Sequence, residues 1–152
     1  MATIRERAGR WQAIIKRKGY PQQSKTFDLR KDAEKWARQQ ERQMDAGQWV
    51  DRTEAEQTTL AKPLDRYASE ISSTKRGKDA ELYRIEQFKR STLAKYSPAA
   101  VTGQLVSTWR DDRLREVSSG TVLREMQLLS HLFAVAMREW GIALHNNPVA
   151  MV

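Results

Sequence analysis

Residues 118–141, SSGTVLREMQLLSHLFAVAMREWG, decide how this chain folds. Val122, Met126, Leu129, Phe133, Ala136 and Trp140 recur at alternating steps of four and three, the seam of a core-facing helix. Leu128, Leu132 and Val135 widen the seam, so the helix is expected to be buried over much of its girth. Ser118 or Ser119 suits the amino cap and Gly141 the stop. The narrow face left over carries Arg124, Gln127, His131 and Arg138. A helix this apolar predicts the centre of a bundle, wrapped by the helices before it.

Those helices can be read upstream. Leu60, Leu64, Tyr67 and Ile71 predict one from near Thr59, with Pro63 in the first turn, where proline is tolerated. Residues 72–78 break the pattern with a basic loop. A second helix is expected over 79–90, burying Leu82, Ile85 and Phe88. Ser97-Pro98 reads as a cap followed by a first-turn proline, starting a third helix with Val101, Leu105 and Trp109 and running to about Arg115. Residues 145–148 end regular structure. Residues 58–152 are thus expected to form an all-α four-helix bundle. Its surplus positive charge lies in the Lys75, Arg76 and Lys78 loop and at the amino end of the last helix, Thr121 and Arg124. Free N–H groups and a hydroxyl there suit a phosphate. An ordinary solvated loop is the plainer alternative for the lysines and arginines.

Residues 1–57 read differently. Short strands are expected over 3–7, 10–18 and 22–27, separated by Ala8-Gly9 and Gly19-Tyr20-Pro21 turns. In the middle strand Trp11, Ala13 and Ile15 alternate with Arg10, Gln12, Ile14, Lys16 and Lys18. One face is apolar and the other basic. A helix over about 30–46, capped by Asp28 and stopped by Gly47, presents Ala33, Trp36, Ala37, Gln40 and Met44 to cover the apolar face. The expected class is α+β, a three-stranded antiparallel sheet with one helix. Residues 48–57, polar except for Trp49 and Val50, read as a linker, with Trp49 packed on the first domain.

The basic face is left open. A β-ribbon fits the DNA major groove, where Gln12 can bond a base edge, Ile14 can touch a thymine methyl, and Arg or Lys can take phosphate or guanine. Edge lysines and arginines that only prevent aggregation are the alternative. The totals agree with a polyanion partner: 152 residues carry a net charge of +8. Seven of the basic residues (Arg5, Arg7, Arg10, Lys16, Arg17, Lys18, Lys25) stand in the first 27 positions against one acid, Glu6. There is no cysteine, no signal peptide and no bilayer-length apolar run, which suits a cytoplasmic protein. His131 and His145 have no metal-binding spacing, and no phosphate loop or dinucleotide fingerprint is present, so no metal and no cofactor are expected.

Two stretches resemble one family. Trp11, Thr26-Phe27, Ala33-Glu34 and Trp36 lie as in the AP2-like amino-terminal domain of phage-type integrases, the tyrosine recombinases. Thr121, Arg124-Glu125, Leu128-Leu129, Phe133, Ala136, Trp140-Gly141 and Asn147-Pro148 are similar to the SAM-like core-binding domain of the same integrases. The resemblance implies that residues 1–57 bind arm-type DNA sites and residues 58–152 core-type sites. By position it adds Thr3, Arg5, Arg7 and Thr26 to the contact face. It implies duplex DNA as partner, with other integrase protomers on that DNA, and neither a membrane nor a small-molecule substrate. The family's nucleophilic tyrosine works among arginines, a lysine and histidines. No His-x-x-Arg follows Asn147, and Tyr20, Tyr67, Tyr83 and Tyr96 show no such cluster in the family's order. This chain is therefore expected to hold DNA without cutting it, as the front part of a recombinase. Two other readings stay open: a non-catalytic accessory protein or transcription regulator using the same sheet, and a protein–protein adaptor that binds no DNA.

Overall fold

The computed structural model describes residues 2–150 and 152. They divide into two units, Met1–Val50 and Asp51–Val152, each with its own core.

The first unit is an antiparallel sheet of β1 (Ala2–Arg7), β2 (Arg10–Ile15) and β3 (Gln23–Phe27), with β2 central, followed by the helix α1 (Arg30–Asp45). A two-residue turn joins β1 to β2. Both of its residues have positive φ, Ala8 at 52° and Gly9 at 77°, the geometry that matches the twist of a tight hairpin. That turn fixes the register: Arg7 faces Arg10, Arg5 faces Gln12, and Thr3 faces Ile14. Across β3, Gln12 faces Thr26 and Ile14 faces Ser24. Directly opposed residues share a face, so these form the side away from α1. On the other side Ala13, Ile15, Ala33, Ala37 and Met44 are buried, with Trp11, Phe27 and Trp36 packed around them. Gln40, the polar break in the α1 stripe, accepts the indole N–H of Trp49 at 2.9 Å, and Trp49 meets Tyr20 edge-on at 5.5 Å. Trp49 thus packs on the first unit.

Two local expectations are corrected here. Asp28 does not cap α1: the N-cap is Leu29, with no side-chain bond, because Asp28 turns to Arg10 and accepts from its Nε at 3.0 Å. β2 ends at Ile15 rather than Lys18. Lys16 and Lys18 stand in the following turn, closed by the Tyr20 N–H on the Arg17 carbonyl and by Gly19 at φ 88°.

The second unit is helical: α2 (Thr53–Gln57), α3 (Ala61–Glu70), α4 (Lys78–Arg90), α5 (Gly103–Leu114) and α6 (Ser119–Arg138), with short 3₁₀ turns between. The polar joint therefore ends in a helix, whose Ala55 is buried with Ala136 and Ile142. α6 is the central element. Leu128, Leu129, Leu132, Phe133 and Val135 meet Leu64 and Tyr67 of α3, Ile85 and Phe88 of α4, and Val106 of α5 in one core. Ser118 caps α6, its hydroxyl accepting from the Thr121 N–H at 3.4 Å, and Gly141 turns the chain at φ 65°. Trp140 lies just past the end of α6, packed against the core. Asn147 then clips the tail to α6 by donating to the Ser130 carbonyl at 2.9 Å, which places Val149 in the core.

The start of α5 is also corrected. Ser97-Pro98 opens only a 3₁₀ turn, Pro98–Ala100. Val101 leaves helical geometry at ψ 113° with its side chain buried, and α5 starts at Gly103, where the Thr102 hydroxyl accepts from the Leu105 N–H at 3.2 Å. The buried residue of α5 is accordingly Val106.

Candidate nucleic-acid interface

The open side of the first unit is a lattice of polar side chains with a defined order. Its central row is Arg5, Gln12 and Thr26; Thr3, Ile14 and Ser24 flank it on one side, Arg7 and Arg10 on the other. Rows are two residues, or about 7 Å, apart along the strands. Arg5, Arg7, Arg10, Thr3, Ser24 and Thr26 are exposed, and Gln12 and Ile14 are half-buried. Ser24 was not in the sequence-based face; it follows from stepping back two residues from Thr26.

The three arginines of this face differ in their partners. Arg10 is ion-paired with Asp28. Arg5 donates from Nε to Gln12 Oε1 at 2.9 Å, so a neutral group holds it and its charge stays uncompensated. Arg7 makes no ion pair with another described residue, and neither do Lys16 and Lys18 beyond the end of β2. Arg17, by contrast, pairs with Asp45 at 2.6 Å. The charge left over on this side is positive, and no element of the first unit covers it.

In the helical unit one residue of the expected loop, Lys75, comes near α6 by way of Tyr67, whereas Lys78 opens α4 instead of standing in the loop. Tyr67 places its hydroxyl 2.6 Å from His131 Nδ1, and Lys75 Nζ is 3.4 Å from the same hydroxyl. Lys75 thus reaches His131 only through the Tyr67 hydroxyl, while the turn at Ser72–Thr74 packs on α3 and α4. Arg124, Gln127 and Arg138 share the exposed face of α6 with His131. Arg124 is seven residues from His131, about 10 Å along the axis. Lys75 itself is occupied: Glu81 accepts from Nζ at 3.1 and 3.3 Å, and Ser72 donates to the same carboxylate at 2.9 Å. Arg76, Lys78 and Arg124 make no ion pair with a described residue. At the amino end of α6 the Thr121 hydroxyl lies 3.1 Å from that of Ser118, so cap and hydroxyl are already joined.

Tyr67, with a histidine and a lysine beside it, invites comparison with a nucleophile. Its environment points the other way. It is 1% exposed, and burial together with the nearby Glu81 carboxylate pushes the phenol above its ordinary value of 10.0. An activated phenol needs the opposite shift. Tyr67 instead ties loop to helix. Among the described residues no group of His, Asp or Glu is placed to hold a metal ion, and no helix is long and apolar enough to cross a membrane.

Sequence reasoning missed one buried pair. Glu125 of α6 is buried, and Arg113 of α5 donates to it from Nη2 at 2.9 Å and from Nε at 3.0 Å. These bonds hold the Arg113 guanidinium above its ordinary value. The pair fixes α5 on α6.

Comparison with known proteins gives the chain its relatives. A protein of Haemophilus influenzae named as an integrase/recombinase is 37% identical over 146 residues, which is 96% of this chain and 38% of that protein. The shufflon-specific DNA recombinase of Escherichia coli is 35% identical over 102 residues, 62% of this chain and 26% of its own length. A second Haemophilus influenzae protein named as an integrase/recombinase is 29% identical over 92 residues. The chain thus spans 26–38% of the length of these relatives. No family model and no solved structure matches it. The resemblance to integrases read from the sequence is borne out by these relatives, one of which matches along nearly the whole chain.

Proposed function

We propose, for a chain whose relatives are integrases and recombinases, that it is the DNA-holding portion of a site-specific recombinase. The sheet unit lays its open face in the groove of an arm-type site, and the α6 face of the helical unit holds a core-type site. The observation that carries this reading is the uncovered lattice of Thr3, Arg5, Arg7, Arg10, Gln12, Ile14 and Thr26, opposite a face sealed by α1. A face kept polar only for solubility has no need of a half-buried isoleucine among its cations. Arg7, Lys16 and Lys18 are assigned to phosphates, and Arg5 and Ile14 to base edges, with Gln12 beside Arg5 in the same row. On the helical unit Arg76, Lys78, Thr121 and Arg124 are assigned to phosphates, with Lys75 holding the loop in place through Glu81 and Tyr67. The chain's own part is to bind DNA rather than cut it, since its most histidine- and lysine-rich tyrosine, Tyr67, is buried and hard to ionise. Further protomers on the same DNA belong to this reading.

The test is duplex affinity of the 152-residue chain as salt is raised. Phosphate contacts release counterions, so affinity should fall steeply, and Arg7→Ala should reduce the log–log slope by about one. Salt-insensitive binding, or no binding to any duplex, would overturn the proposal.

A further inference from the structure

Of the arginines on the open sheet face, one is both held and uncompensated. Arg10 shares its charge with Asp28, and no other described side chain orients Arg7. Arg5 is gripped through Nε by the carboxamide oxygen of Gln12, directly across the β1–β2 pair and in the central row of the sheet. With Nε engaged, its two terminal Nη groups remain as a planar fork. That fork matches the paired acceptors O6 and N7 of guanine in the major groove. A guanidinium oriented in advance also loses less side-chain freedom on binding.

We infer that Arg5 is the residue of this face that reads a guanine, and that Gln12 acts as its positioning residue rather than as an independent base reader. This rests on the duplex-binding reading of the same face and deepens it. It differs from what the residue types suggest when taken singly, since a lone glutamine is the usual partner of adenine. Here the Gln12 oxygen already has a donor, and the two side chains form one reading unit.

The experiment is selection of preferred duplexes from a randomised pool by the full chain, followed by the same selection with variants. Arg5→Lys keeps the charge and loses the fork. It should erase a guanine preference at one position, a change of roughly 5- to 150-fold for a bidentate contact. Gln12→Ala should weaken the preference at that same position. Gln12→Glu keeps an oxygen for Arg5 Nε and should restore the preference at that position, although its charge lowers overall affinity. Arg5 is exposed and Gln12 only half-buried on the open face, so a thermal melt should show all three variants folded. If the Arg5 and Gln12 variants relax different positions, Gln12 reads a base of its own and the inference is overturned. It is equally overturned if the chain binds duplexes without base preference, a result that leaves the groove-binding reading standing. Failure of the unaltered chain to bind any duplex would instead remove that reading itself.

Discussion

Replacing Arg113 by methionine isolates the energetics of the α5–α6 contact. The pair is unequal: the Arg113 side chain is 18% exposed and the Glu125 side chain 3%. Removing the arginine strands a carboxylate that water hardly reaches, a loss of about 3–5 kcal/mol. Removing Glu125 instead leaves an arginine that keeps Glu116 at 3.0 Å and an opening to solvent, so Glu125→Leu should cost less, about 1–3 kcal/mol. Replacing both removes the desolvated charges together and should return the unit to within about 1–2 kcal/mol of its starting stability. The readout is native-state hydrogen exchange of the α6 amides, which reports the helical unit apart from the sheet unit. A thermal melt should agree, at roughly 4–8 °C per kcal/mol for a unit of about a hundred residues. An Arg113→Met loss below about 1 kcal/mol, or a double variant as unstable as the sum of the single ones, would refute the reasoning.

Trp36→Ala should destabilise the sheet unit by about 2–3 kcal/mol, below the usual range for a fully buried tryptophan, because Trp36 is only partly buried against Phe27 at 5.9 Å between ring centres; an unchanged urea midpoint would mean that α1 covers the wrong surface. Thr102→Ala should remove the α5 cap at a cost of about 1 kcal/mol, whereas Ser97→Ala should cost less, as read from denaturation midpoints. The Tyr67 phenol is raised above 10.0 by burial, so the folded state keeps its proton longer than the unfolded chain does. The stability this contributes is present below about pH 10 and is lost as the pH climbs through the folded value. Urea midpoints of the helical unit should fall over that alkaline range, and Tyr67→Phe should flatten the fall.

What was legible in the sequence was local. The four-three seam of α6 and its Ser118 cap needed only neighbouring residues, and so did the alternation of β2. What was missed depends on residues far apart in the chain. Asp28 looks like a cap until Arg10, 18 positions earlier, takes it. Ser97-Pro98 has the composition of a helix start, yet the burial of Val101 defers the helix to Thr102. Glu125 falls on the apolar side of α6 with Val122, Leu128 and Leu132, but the partner that lets it be buried, Arg113, stands on another helix and shows only in the fold. The Arg5–Gln12 pair was within reach. A two-residue turn at Ala8-Gly9 sets Arg7 opposite Arg10, and counting back two places sets Arg5 opposite Gln12. Lys75 was correctly seen as part of a basic loop, but its engagement by Glu81 needed the folded loop.

The open sheet face can be tested directly by mapping amide chemical-shift changes in the full chain as duplex DNA is added. The account predicts changes along Thr3, Arg5, Arg7, Gln12, Ile14, Ser24 and Thr26, with the buried Ala33 and Ala37 of α1 silent. Changes concentrated on α1, with the sheet residues unmoved at saturating duplex, would contradict it.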